Sequence, residues 1–219
     1  MRYVLAALLL LNQAVEDDIT ELTAEEAAVV AQFEGPLSLN GLTTLSAEAA
    51  KSLGQHKRYL SLNGLTALSA EAAKGLAQQS GGVLSLCGLT TLSDEAAKGL
   101  AQHKGYLYLD GLTTLSAEAA KSLGQHSGDL SLDGLTTLST EAANGLGQHS
   151  NNLYLSGLTA LSAEAAKGLA QHKGGGLSLG GLTALSAEAA KGLAQHSGDL
   201  FLGGLTALSA EAAKGLAQH

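Results

Sequence analysis

Residues 162–172, 186–196 and 209–219 carry the same eleven letters, SAEAAKGLAQH. A Leu-x-Leu tripeptide precedes each, and such tripeptides start at Leu37, Leu60, Leu84, Leu107, Leu130, Leu153, Leu177 and Leu200, in steps of 23 or 24 residues. A unit this short cannot bury its apolar side alone, so eight copies at this period must stack and cover one another. The two 24-residue steps place their extra residue in the glycine-rich junctions QQSGGV and HKGGG, where a loop absorbs it.

Within a copy, L-S-L-N alternates with period two, the mark of a short strand with one buried face. Leu37 and Leu39 point in, and Ser38 and Asn40 point out. Gly41 bends the chain, and L-T-T-L, with Leu42 and Leu45 three apart, predicts a bent or second short strand. Ser46 then supplies a helix N-cap, its hydroxyl free to accept from an unpaired N–H of the first turn. Ala49, Ala50 and Leu53 form the inward stripe of the helix, while Glu48, Lys51 and Gln55 face out. The helix is expected to end at His56. In later copies a glycine two residues further on, as in His103-Lys104-Gly105, predicts a left-handed stop.

A decayed half-copy precedes the eight. Ile19, Leu22, Thr23, Glu25 and Val30 fall over Leu42, Leu45, Ser46, Glu48 and Leu53 when shifted by 23, and Thr23 with Glu26 makes a capping box. Its acidic cluster at 16–18 suits a polar terminal cap. Further back, Arg2 leads an apolar run at 3–11, too short to span a bilayer but matched to the core of an export leader. The expected organisation is an export leader at 1–14, a degenerate capping half-repeat at 15–36, and one solenoid of eight repeats at 37–219. Cleavage places the mature chain outside the cell or in its envelope; retention of the leader would leave it cytoplasmic. No integral membrane domain is expected.

The leucines fill an interior that other residues cannot: 45% of side chains are hydrophobic, yet aromatics are only 3% and Trp is absent. Parallel strands pack about 4.8 Å apart and helices roughly 8–10 Å apart, so the stack should curve with its strands on the concave side. Mid-helix glycines at Gly75, Gly99, Gly145, Gly168, Gly192 and Gly215 predict close approach between neighbouring helices, since each costs about 1 kcal/mol relative to Ala.

The Leu-x-Leu pairs, such as Leu107/Leu109 and Leu200/Leu202, each followed by Leu112 or Leu205 and a helical half, make residues 19–219 resemble the leucine-rich repeats, in their short bacterial forms of about 23 residues. The resemblance implies an α/β solenoid, a right-handed stack of strand–bend–helix coils. Two departures stand out. Lys57, Lys104 and Ser127 lie where a leading Leu is usual, and the Asn/Cys ladder position aligns with Leu42, Leu65 and Leu89, leaving Thr43, Thr66 and Thr90 to hydrogen-bond the bend.

Charge and chemistry narrow the function. Twelve basic against twenty acidic residues give a net charge of −8 with no basic run, which disfavours nucleic acid. Cys87 is the only cysteine, so no intrachain disulfide forms. All seven histidines (56, 103, 126, 149, 172, 196 and 219) fall in one column, with Gln79 as the exception. One imidazole per coil does not converge on a metal, and a position at the negative end of a helix dipole is the simpler role. Seven added protons would lift the charge from −8 to −1, so repulsion is expected near the ordinary histidine pKa of about 6.5. Columns of identical residues make ridges rather than the unique pocket a catalytic triad needs, so no enzyme, cofactor or metal site is predicted.

Variation between copies concentrates on the outward strand positions, which hold five of the seven aromatics. Tyr59, Asn63, Tyr106, Tyr108, Asp110, Asp133, Tyr154 and Phe201 are the candidate ligand-binding residues: rings supply contact area, and carboxylates and amides supply hydrogen-bond acceptors. The reading is an exported recognition or adhesion module for a protein or glycan. Its rival is a structural spacer or self-assembling array: His219 closes a helix with no polar cap, so Leu200, Leu202 and Leu205 are expected on an open edge suited to end-to-end association.

Overall fold

The computed structural model describes residues 19–80 and 82–219; the leader expected at 1–14 and the acidic cluster at 16–18 lie outside the described residues. A short helix, α1 (Ala24–Val30), precedes the first strand. Eight coils follow, each one strand and one helix. They are β1 (Leu37–Ser38) with α2 (Ala47–Leu53), β2 (Leu60–Ser61) with α3 (Ala70–Leu76), β3 (Val83–Ser85) with α4 (Asp94–Leu100), and β4 (Tyr106–Tyr108) with α5 (Ala117–Leu123). The second four are β5 (Leu130–Ser131) with α6 (Thr140–Leu146), β6 (Leu153–Tyr154) with α7 (Ala163–Leu169), β7 (Leu177–Ser178) with α8 (Ala187–Leu193), and β8 (Leu200–Phe201) with α9 (Ala210–Leu216).

The strands form a single parallel sheet in chain order. Its register puts leucine on leucine: Leu37 faces Leu60, Leu60 faces Leu84, Leu84 faces Leu107, and so on to Leu177 and Leu200. Leu60, Leu84 and Leu107 are wholly buried. At about 1.5–3 kcal/mol for each fully buried leucine, this column and its neighbours Leu62 and Leu65 provide the main driving force for compaction. One parallel strand and one helix per 23-residue turn, around a leucine ladder, is an α/β solenoid.

Seven-residue helices are far below the length at which isolated helices persist, so packing and capping hold them. Ser46 Oγ accepts from Ala49 N at 3.1 Å, and the serine of every later copy repeats this bond. At α1 the capping box closes both ways, with Thr23 N donating to Glu26 at 3.0 Å. Ala49, Ala50 and Leu53 are buried as the stripe requires. A Cβ built on Gly75 would stand 2.7 Å from Lys51 N, so glycine there is the condition for α3 to lie against α2. In the first coil Ser52 takes this position, and its hydroxyl bonds Ala24 O of α1 at 3.0 Å.

Three local expectations are corrected. The L-T-T-L segment forms no second strand: Leu42 N turns back to Leu39 O, and the chain then runs without ladder pairing to Ser46. Its threonines bond along the stack, Thr43 N to Thr20 O at 3.1 Å and Thr206 N to Thr183 O at 3.0 Å. The helices end three residues early, at Leu53 and its counterparts. Their last turn tightens into i−3 bonds, such as His56 N to Leu53 O. The expected left-handed stop is absent as well. Among the described residues only Gly175, in the enlarged loop before β7, has positive φ. Gly105 is required for a different reason, since a Cβ there would sit 1.6 Å from Gly82 O of the preceding coil.

Candidate functional site on the exposed strand face

The alternation that buries the Leu-x-Leu pairs of the first seven coils, and half-buries Leu200 and Leu202 in the eighth, turns three residues of each coil outward. In β4 these are Tyr106, Tyr108 and then Asp110. The sheet register aligns the central positions as Tyr108, Ser131, Tyr154, Ser178 and Phe201, so aromatic rings alternate with serines along the stack. Tyr108 and Tyr154 therefore stand two strands apart, about 10 Å by ordinary strand spacing, with Ser131 almost wholly buried between them.

Tyr106 fills that gap. Its ring lies parallel to Tyr108 at 4.3 Å between centroids and to Tyr154 at 5.9 Å. Both are offset-stacking distances, and such pairs contribute beyond the area they bury. The three phenol hydroxyls also come together. Partial burial first, then neighbouring Tyr108 and Tyr154, push the Tyr106 hydroxyl well above the usual tyrosine range. It stays protonated and able to donate at any physiological pH.

The third outward column is a hydrogen-bonded ladder, which the sequence reading did not anticipate. Asn40 Oδ1 accepts from Ser61 Oγ at 2.7 Å and from Asn63 N at 2.9 Å. Asn63 Oδ1 repeats this with Ser85 Oγ and Cys87 N, both at 2.8 Å. Asp110 Oδ1 does so with Ser131 Oγ and Asp133 N, and Asp133 Oδ1 accepts from Ser156 N. Asn63, Asp110 and Asp133 thus each commit one oxygen to holding adjacent coils together. The signal was present in the short polar side chains one residue beyond Leu-x-Leu in the first six copies, Asn40, Asn63, Cys87, Asp110, Asp133 and Ser156.

The eight candidates do not form one cluster. Tyr106, Tyr108 and Tyr154 meet, flanked by Asp110 and Asp133. Tyr59 stands at the start of the β2 coil and is 38% exposed. Phe201, 55% exposed, lies two strands beyond Tyr154, its ring leaning over Gly176. Cys87 is a half-buried free thiol, 3.7 Å from Asp110 Oδ2.

Apart from the exposed His219, the histidine column is not on the surface. His56, His103, His126, His149, His172 and His196 are buried. From His103 to His219, successive rings stand 5.2–6.1 Å apart. His103 Nε2 lies 3.2 Å from Gly82 O, His126 Nε2 3.0 Å from Gly105 O, and His172 Nε2 2.6 Å from Asn151 O. A carbonyl only accepts, so the facing nitrogen carries the hydrogen. This replaces the expected dipole role: these rings bridge to backbone carbonyls of the coil before them, whereas both ring nitrogens of His149 are buried without a hydrogen bond. Burial, then the neighbouring histidines, lower His103 and His149 to about 4, and burial also lowers His126, His172 and His196. Repulsion among seven charged rings near pH 6.5 is therefore corrected in the folded chain, because His103 and His149 stay neutral there.

Among the described residues, no group of three or more His, Cys, Asp or Glu is arranged to hold a metal ion, and no helix is long and apolar enough to cross a membrane. No family model and no curated protein matches the chain. Among solved structures, a leucine-rich-repeat protein of Leptospira interrogans is similar at 18% identity over 91% of this chain and 73% of that one, with a TM-score of 0.30. The solenoid fold follows from the register and burial of the coils themselves.

Proposed function

We propose that this chain is a recognition module, acting outside the cell or in its envelope, that binds a protein or glycan ligand on its exposed strand face. The observation that carries the reading is the stack of Tyr106 between Tyr108 and Tyr154. Three rings with clustered hydroxyls offer a rigid, amphipathic contact area at little entropic cost, on a face that requires no aromatic residue for folding: serine occupies the same position in β1, β2, β3, β5 and β7. An adhesive role fits the same surface. The export half of the proposal rests on the charged-then-apolar start of the sequence.

A binding rather than catalytic role is supported by the use already made of the polar groups. The Ser131 hydroxyl donates to Asp110, and the histidines lie buried in their own column, away from the face. The test is a screen of the mature chain against arrayed glycans and extracellular proteins. A ligand retained by the parent should be lost by Y106S/Y108S/Y154S, with helicity and melting unchanged. Equal retention by the triple variant would overturn the proposal.

A further inference from the structure

The outward strand positions from β4 to β8 carry Asp110, Asp129, Asp133 and Asp199 and no lysine or arginine. The helix lysines, such as Lys98, Lys121 and Lys167, are in the last turns of their helices, and Lys104 and Lys173 stand in the loops leading to β4 and β7. The carboxylates are fixed in place: Asp129 accepts from Asn152 N at 3.2 Å and Asn152 Nδ2 at 3.1 Å, and Asp110 and Asp133 are held by the ladder. Asp110 and Asp133 occupy the same position of adjacent strands, and Asp129 and Asp133 belong to one coil. Like charges so placed repel, and no lysine or arginine at these outward positions pairs with them.

The aromatic stack lies in the middle of these charges. The faces of tyrosine rings are electronegative and attract cations, guanidinium above all. Rings and carboxylates therefore ask for the same complement. We infer that the ligand of this face is a basic peptide segment, whose arginine or lysine side chains lie on the Tyr106–Tyr108–Tyr154 stack and pair with Asp129, Asp133 and Asp110. The inference rests on the recognition reading above and goes further by fixing the charge and class of the partner. A neutral glycan would use the rings but would leave the repulsion among the aspartates in place.

The probe is a short fluorescent Arg–Gly repeat peptide, with its uncharged citrulline counterpart, titrated against the full chain by anisotropy. The arginine peptide should bind at least about tenfold more tightly than the citrulline one and weaken as salt rises. D110N/D133N, in which each amide oxygen can still accept the ladder hydrogen bonds as Asn40 and Asn63 do, should weaken binding about tenfold without loss of melting temperature. E164Q/E188Q removes the same charge from the helix side and should leave affinity within about twofold. Equal binding of the two peptides, or equal loss in both charge variants, would overturn the basic-peptide inference. If the tyrosine triple variant still lost an arrayed ligand, the recognition reading would stand without it; if no arrayed ligand bound, both would fall.

Discussion

Gln79 Nε2 donates to Arg58 O at 2.6 Å, spanning the same 21-residue step by which His103 Nε2 reaches Gly82 O at 3.2 Å. The one copy without a histidine thus makes the histidine's bond with an amide. At these two positions the fold uses an N–H donor of the right reach, buried and fastened to the preceding coil. Neither a metal nor a titratable group is needed for that role.

Replacing His103 by Gln should therefore cost little, whereas His103→Ala should destabilise the chain by about 2 kcal/mol or more, through a lost buried hydrogen bond and a cavity. Urea unfolding of the two variants beside the parent measures the difference. Equal destabilisation by both would show that the ring itself, through stacking, is what the fold requires.

The buried histidines also set the response to acid. For His103, His126, His149, His172 and His196 the folded pKa lies below the unfolded value of about 6.5, so the unfolded chain binds more protons as pH falls. Stability should be intact above about pH 6.5 and decline towards about pH 4, the value to which His103 and His149 are lowered. Melting temperature followed across this window should fall, and H103Q/H149Q should fall less. A flat profile in the parent would contradict the burial of neutral rings.

Gly75→Ala sets helix propensity against packing. On an exposed helix the change would stabilise by about 1 kcal/mol. Here the added methyl meets Lys51 N at 2.7 Å and Ala50 C at 3.0 Å, backbone atoms that cannot move without displacing α2. The expected sign is destabilising, by about 1–3 kcal/mol, as for other overpacked contacts. Thermal denaturation of the variant decides it.

The coil was legible in the sequence because its parts are periodic. Leu-x-Leu gave the strand and its face, Ser46 the cap, and Ala49, Ala50 and Leu53 the buried stripe. Mid-helix glycine was read as close approach, and Gly75 confirms the reason. Other features were hidden because pattern shows direction but not partner. Asn63 and Asp110 alternate outward as expected, yet nothing in alternation says that an outward oxygen will bond the next coil. A histidine at a helix C-terminus reads as a partner of the helix dipole, and only the substitution by Gln79 hinted at a shared donor role. Gly105 looked like a helix stop because glycine serves both left-handed turns and crowded backbones, and the letter does not distinguish them.

Within the binding face, the sequence showed which side chains point outward but not which of them meet. Tyr106 and Tyr154 lie 48 residues apart, and their stacking depends on Ser131 leaving a gap between Tyr108 and Tyr154.

The bonds that can exist only if successive coils lie in register are the inter-strand amides, such as Leu107 N to Asp129 O and Leu130 N to Asn152 O, both 2.9 Å. Native-state hydrogen exchange, resolved by residue, reads them directly. Stacked leucine coils require these amides to be among the slowest in the chain, exchanging together with their counterparts at Leu84 and Leu153. Exchange of the Leu107 and Leu130 amides at the rate of an unstructured peptide, in a chain that still shows its helices, would contradict the stack.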